Sequence, residues 1–210
     1  MDSAPPARRA VFLDRDGTLI HDPGYLAEPD GVALLPGVGD ALAALREAGF
    51  DLVVCTNQSG IARGRYTVAQ YERVAKRFED LLAAEGVTLL ASYFCPYHPE
   101  GVVAPYACDH EDRKPAPGMW LRAARDHGID LARSYSIGDG ERDVVAGRRA
   151  GTTAILVADA RDKWPLPVGG PFDPHFTARD VREAVVWILR REGRPLPPRP
   201  GLPLSHRPAR

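Results

Sequence analysis

Two carboxylates two residues apart, Asp14 and Asp16, follow directly on the apolar run Ala10-Val11-Phe12-Leu13. In extended chain this spacing turns both side chains to one side, with Cα atoms roughly 7 Å apart. Acids so placed can divide their labour. One, kept ionised by a cation, can attack as a nucleophile; the other, if its pKa is raised, can donate a proton and later withdraw one. Gly17 and Thr18 suit a sharp turn immediately after them. Alone, the pair would read as a solvated turn, but that reading must also account for other reactive groups: Thr56-Asn57 with a hydroxyl and amides, Lys114 with a compact positive charge, and Asp139 followed by Asp143. A further set, Cys95, His98, Cys108 and His110, offers two soft and two borderline ligands within sixteen positions. Such a set suits tetrahedral zinc closing an irregular loop, or else these are ordinary loop residues.

The elements that must position these groups are legible from periodicity. Apolar, β-branched runs predict strands over 9–14, 50–56, 91–95, 134–139 and 152–159, and helical spacing predicts helices over 38–48, 67–85, 117–127 and 142–150. Gly49 and Gly86 stand where helices should stop, and Thr67 is placed to cap the helix after it. Residues 161–176 read as a Pro/Gly-rich loop, and 177–192 as a last amphipathic helix capped by Thr177. Strands alternating with helices imply crossovers and a mainly parallel sheet covered on both faces: an α/β, Rossmann-like three-layer sandwich. Such sheets bind ligands at the carboxyl ends of their strands. Asp14 and Asp16, Thr56-Asn57, and Asp139 with Asp143 all fall just after strands.

At 210 residues the chain suits one domain, taken as 8–192, with a Pro/Arg-rich tail over 193–210 expected to be disordered. A net charge of −1 argues against a nucleic-acid partner and for a small-molecule client, with the chain expected to act as a monomer. No apolar run approaches the roughly 20 residues of a membrane span, and the N-terminus lacks a signal-peptide core, so the expected location is cytosolic. There the three cysteines are metal ligands or buried thiols rather than disulfides, and Cys55 reads as a small buried hydrophobe.

The strings "FLDRDGT", "CTNQSG", "DRKP" and "GDGERD", in that order over residues 10 to 158, resemble the four signature motifs of the haloacid dehalogenase superfamily of phosphohydrolases. The longer strings "DRDGTLI", "TNQSGIARG", "CPYHPEG" and "RKPAPGM" resemble its histidinol-phosphatase-like subfamily, and within it the heptose-bisphosphate 7-phosphatases. The resemblance implies that Asp14 attacks phosphorus and becomes an aspartyl phosphate, while Asp16 protonates the departing alkoxide and then deprotonates water. Thr56 and the Asn57 N–H would hold a phosphate oxygen, and Lys114 would offset the charge of phosphate and Asp14. Asp139, with Asp14 and the main-chain carbonyl of Asp16, would hold Mg2+. Asp143 would orient a water or Lys114 from behind, or simply stabilise a helix N-terminus.

The related phosphatases carry a structural zinc loop of the pattern Cys-x-His followed by Cys-x-Cys. This chain departs from it: Tyr97 stands at the expected His, His98 comes one position later, His110 replaces the last Cys, and Glu111-Asp112 are inserted before Arg113. A Zn2+ site through Cys95, His98, Cys108 and His110, with Tyr97 as the competing position, would hold the loop that delivers Arg113 and Lys114 and perform no chemistry. The intervals between motifs are too short for a large cap domain, so substrate choice falls to loops. By resemblance these supply Asp22, Gly24, Tyr25, Asn57, Gln58, Ser59, Arg63 and Arg113, the two arginines suiting a second phosphate of a small phosphorylated sugar. A histidinol-phosphate phosphatase would share every catalytic residue. A dehalogenase would have no use for Asp16. A zinc-stabilised binding module with a relic site should have lost at least one of Asp14, Asp16, Thr56, Lys114 and Asp139.

Overall fold

The continuous apolar run of the first strand implies two buried faces, and the sheet is built on it. The computed structural model describes residues 7–157 and 170–196. Its strands are β1 (Ala10–Leu13), β2 (Asp51–Asn57), β3 (Ala91–Cys95), β4 (Tyr135–Gly138), β5 (Thr153–Val157) and β6 (Phe176–Ala178). Its helices are α1 (Val38–Glu47), α2 (Val68–Ala84), α3 (Gly118–His127), α4 (Glu141–Ala150) and α5 (Val181–Arg191). The strands form one parallel sheet in the order β3-β2-β1-β4-β5-β6, with Phe12 beside Val53 on one side and Ser136 on the other. Val11 and Leu13 pack with α1, α2 and α5 on one face; Ala10 and Phe12 pack with α3 and α4 on the opposite face. The expected three layers are therefore present.

The chain moves outward from β1 through β2 to β3, then returns to β4 and moves the other way. The strand order thus reverses between β1 and β4, the position at which open α/β sheets leave a crevice at their carboxyl ends. Local signals set the helices that flank it. Thr67 caps α2 by accepting from the Gln70 N–H while the Gln70 side chain accepts from the Thr67 N–H, a reciprocal box that satisfies two otherwise orphaned donors.

The C-terminal part differs from the expected helix over 177–192. Thr177 is no cap: Phe176–Ala178 pairs with Ile155–Val157 as edge strand β6, and α5 starts at Val181. Asp180 caps it, accepting from the Glu183 N–H at 2.8 Å. Both residues are capping types, and burial of Ala178 against the sheet decides between them. Residues 158–159 of the expected fifth strand, most of the expected loop and the tail from 197 lie outside the described residues. Among the described residues no cap domain interrupts the intervals between motifs, and no helix is long and apolar enough to cross a membrane.

Candidate active site

Asp14 is the first residue past β1, and its N–H still donates to the Ile137 carbonyl at 2.9 Å, so it is held in the register of the sheet. The chain then folds tightly: the N–H groups of Leu19 and Ile20 return to the Arg15 carbonyl, and the Gly17 N–H donates to the Ile20 carbonyl. Gly17 sits at φ +81°, and a Cβ there would fall 2.1 Å from Asp139 Oδ2. Glycine is therefore required both by the turn and by the approach of the β4 end to the β1 end.

Lys114 lies at the centre of the acids. Its Nζ is 2.7 Å from Asp14 Oδ1 and 2.5 Å from Asp143 Oδ1, and it donates to the Cys55 carbonyl at 2.9 Å. All three side chains are under 5% exposed. Burial opposes the lysine charge, but Asp14 and Asp143 outweigh it and hold the ammonium above its ordinary pKa. Asp143 is thus a direct partner of Lys114, one of the two roles expected for it, and its carboxylate also accepts from the Gly140 N–H at the start of α4. The backbone of Lys114 is clamped by Asn57, whose amide donates to the Lys114 carbonyl and whose oxygen accepts from the Lys114 N–H, both at 3.1 Å.

Ligand atoms of Asp14, Asp139 and Asp143 lie within 4.8 Å of one another. Burial, then Asp14 and Asp143, push the Asp139 carboxyl up to about 7. Its Oδ1 is buried with no hydrogen-bond partner among the described residues. Three carboxylates against the Lys114 ammonium and the nearby Arg142 guanidinium leave a negative excess, and the orphaned oxygen leaves an open ligand. This donor set fits a hard divalent cation.

Asp16 is held differently. Arg15 donates from Nε and Nη2 to its two oxygens at 3.0 and 3.1 Å, Gln58 donates at 2.7 Å and Thr56 Oγ1 at 3.3 Å. Tyr66 donates to Gln58 Oε1 at 2.6 Å, and the Arg15 guanidinium, itself buried, lies 5.2 Å from the Tyr71 ring centre. Burial pushes the Asp16 carboxyl up, Arg15 opposes it and Asp14 adds to it. Asp14 and Asp16 therefore sit in unlike surroundings, as two acids with separate tasks require.

A cavity of about 250 Å³ opens over these groups, lined by Asp14, Asp16, Thr56 and Lys114 and by the expected Asp22, Gly24, Tyr25, Asn57, Gln58, Ser59 and Arg113. Two of the expected binding residues are committed inside the protein: Gln58 to Asp16 and Asn57 to Lys114. Arg63 is outside the lining; it pairs with Glu100 at 3.1 Å and meets His98 Nε2 at 3.0 Å. Three residues that sequence reasoning passed over belong here. Arg15 and Tyr66 orient Asp16 directly or through Gln58, and Arg142 lines the cavity. Burial opposes the Arg142 charge, but Asp143, Asp14, Asp139 and Asp22 outweigh it. The one available signal for Arg142 was a cation inside an acid-rich motif.

The expected zinc ligands are not brought together. Among the described residues the one group of three or more ligand atoms that could hold a metal is the aspartate set above. Cys95 ends β3 buried, Cys108 is exposed with its thiol 3.6 Å from the Pro105 carbonyl, His98 is engaged by Arg63 and the Glu100 N–H, and His110 stacks on Tyr97. Both His98 nitrogens are engaged and the His110 ring is turned flat against Tyr97, so the two imidazoles do not converge with the two thiols.

A family model described as HAD-hydrolase-like matches residues 112–184. The D-glycero-β-D-manno-heptose-1,7-bisphosphate 7-phosphatase of Escherichia coli K12 is 45% identical over 181 residues, covering 86% of this chain and 87% of that one. The corresponding α-anomer enzyme of Burkholderia mallei is 40% identical over 152 residues, 72% of this chain and 80% of that one. Among solved structures, the D,D-heptose 1,7-bisphosphate phosphatase of B. bronchiseptica, complexed with magnesium and phosphate, aligns with a TM-score of 0.72 at 32% identity over 87% of this chain and 99% of that one. A HAD-like phosphatase from Mesorhizobium loti aligns at 0.75 with 40% identity, over 85% and 83%.

Proposed function

The chain belongs to the haloacid dehalogenase-like family of heptose-bisphosphate phosphatases, phosphoric monoester hydrolases, and from that premise we propose that it removes the 7-phosphate of D-glycero-D-manno-heptose 1,7-bisphosphate through an aspartyl phosphate on Asp14. We take residues 8–192 as the single catalytic domain. The observation that carries the mechanism is the buried Lys114 bridging Asp14 and Asp143 beside the unpartnered oxygen of Asp139.

Asp14, Asp139 and the main-chain carbonyl of Asp16 would hold magnesium, which when bound neutralises charge on the phosphoryl oxygens. Lys114 donates to Asp14 Oδ1 and leaves the other carboxylate oxygen free to attack phosphorus in line with the departing sugar oxygen. As that P–O bond breaks, Asp16 gives its proton to the sugar oxygen. Asp16 then takes a proton from water as the water oxygen attacks phosphorus, and the Asp14 carboxylate leaves with inorganic phosphate as the other product. Thr56 and the Asn57 N–H serve the phosphate oxygens. Asp22, Gly24, Tyr25 and Ser59 border the sugar, and Arg113 faces the second phosphate, with Arg142 as a further cation on the cavity wall. Zinc has no part in the proposal, because no step of it needs a second metal.

The test is kcat/KM on the α and β anomers of the bisphosphate beside histidinol phosphate, with phosphate release measured in excess magnesium. Preference for a heptose bisphosphate is expected; preference for histidinol phosphate overturns the substrate assignment. Asp14→Asn should reduce turnover to background while the protein stays folded, since Lys114 keeps Asp143 as a partner; retained turnover refutes the nucleophile.

A further inference from the structure

We propose that the strap from Cys95 to Lys114 is closed by a Tyr97–His110 stack and an ion pair between buried Asp112 and partly exposed Arg122, where a zinc ion was expected, and that this closure positions Arg113 over the cavity. The two rings lie parallel, 4.1 Å between centroids and 7° between planes. Tyr106 packs edge-on against Tyr97 at 5.7 Å, and its carbonyl accepts from the His98 N–H at 3.0 Å, so the two limbs of the strap are joined at a second level. His110 Nδ1 accepts from the Asp112 N–H at 3.1 Å, which orients the ring for stacking. Asp112 is 5% exposed and reaches out of the strap to Arg122 of α3 at 2.9 Å.

The departures in sequence and the contacts in the structure coincide. Tyr97 occupies the position expected for a ligating histidine, and a phenol ring there supplies a stacking face instead of a ligand nitrogen. The inserted pair Glu111-Asp112 supplies three of the replacement contacts. The Asp112 N–H holds His110, the Asp112 carboxylate holds Arg122, and the Glu111 carbonyl accepts from the Gly118 N–H at 3.0 Å. A Cβ at Gly118 would lie 2.3 Å from that carbonyl, so the strap is seated directly on the start of α3. Of the three other ligand-type side chains, His98 and Cys108 point into contacts of their own and Cys95 is buried at the end of β3. Consequence for the site follows from one bond: Arg113 Nη1 donates to the Tyr97 carbonyl at 3.3 Å, so the residue that carries the stack also steadies the guanidinium that lines the cavity. Tyr97 and His110 are positioning residues, acting through Arg113.

Three measurements test this. Zinc in the protein as purified should be below about 0.1 equivalent, and treatment with 1,10-phenanthroline followed by excess magnesium should change neither the unfolding midpoint nor turnover. Close to one equivalent of zinc that survives gel filtration and whose removal lowers the midpoint overturns the proposal. Tyr97→Ala should raise KM for the heptose bisphosphate about tenfold with kcat within about threefold, as expected when a binding group is loosened rather than the chemistry. Tyr97→Phe, which keeps the stacking face, should recover most of that loss, whereas Cys108→Ser should leave the unfolding midpoint unchanged. A silent Tyr97→Ala, or a Cys108→Ser change as damaging as it, refutes the stack as the closure. The metal and unfolding measurements need no substrate, so they stand apart from the heptose assignment.

Discussion

Replacing Asp139 by asparagine should make the metal-free protein more stable at pH 8 while destroying its activity. The carboxyl is raised from 3.8 to about 7, chiefly by burial and then by Asp14 and Asp143. Between those values the folded protein binds a proton that the unfolded chain has released, so stability falls as pH rises from about 4 to about 7. At about 1.36 kcal/mol per pH unit the full effect is on the order of 4 kcal/mol, and partial solvent access to Asp139 reduces it to about 2 kcal/mol. Asparagine keeps the shape and removes the charge, and Oδ1 has no hydrogen-bond partner to lose among the described residues. For a chain of this size about 2 kcal/mol is a rise of about 4–8 °C in the unfolding midpoint. The assay is thermal unfolding of wild type and Asp139→Asn in chelator at pH 4.5 and pH 8, repeated with magnesium. The advantage of the variant should be large at pH 8 and small at pH 4.5. Magnesium at about 100 times its Kd returns about 2.7 kcal/mol to the wild type, enough to close the gap, and should do little for the variant. A variant less stable than wild type at pH 8 without metal, or an advantage independent of pH, would refute the account of Asp139 as a strained ligand waiting for a cation.

Gly17→Ala combines a left-handed backbone, about 1–2 kcal/mol for a residue with a Cβ, with a contact of 2.1 Å to Asp139 Oδ2; it should lower both the unfolding midpoint and the response to magnesium, read in the same scans. Arg15→Met should cost roughly 10- to 100-fold in kcat/KM on an alkyl phosphate, a part of what general acid catalysis supplies, and markedly less on p-nitrophenyl phosphate, whose leaving group needs no proton. Equal losses in kcat/KM, which reports phosphoryl transfer to Asp14 and not the later water step, would show that Arg15 does not act through the acid role of Asp16. Asp180→Ala removes the cap of α5, far from the chemistry, and should cost about 1 kcal/mol in urea unfolding with kcat/KM unchanged.

What could be read from the chain alone follows the range of the interactions involved. β1 and β2 were legible because an apolar run is a local signal, and the Thr67 cap because its partner Gln70 is three residues away. Edge strand β6 was not: three residues leave no period, and only pairing with β5, some twenty residues earlier, separates a strand at Thr177 from a helix start. The same distinction runs through the site. Asp14, Asp16, Lys114, Asp139 and Asp143 could be placed from ordered motifs, each at a strand or helix end. The partners of Gln58 and Asn57 could not, since they lie 42 and 57 residues away and turn apparent ligand-binding amides into internal clamps. The placement of Arg63 outside the cavity lining was not legible either, since its pairing with Glu100 spans 37 residues.

The zinc expectation shows where counting ligand types stops being informative. Four such residues within sixteen positions satisfy the chemistry of the metal, but tetrahedral coordination is a demand on direction, and direction in an irregular strap is set by its bulkiest contacts. Here those are aromatic. Tyr97 stacks with His110 and packs edge-on against Tyr106, turning the imidazole flat against a ring, and Asp112 ties the same segment to α3. An imidazole held by its face and by Nδ1 is already oriented without a metal. On the proposal made above, the position that matters most is therefore Tyr97, between two of the expected ligands, with the inserted pair that ties the strap to α3 beginning fourteen positions later.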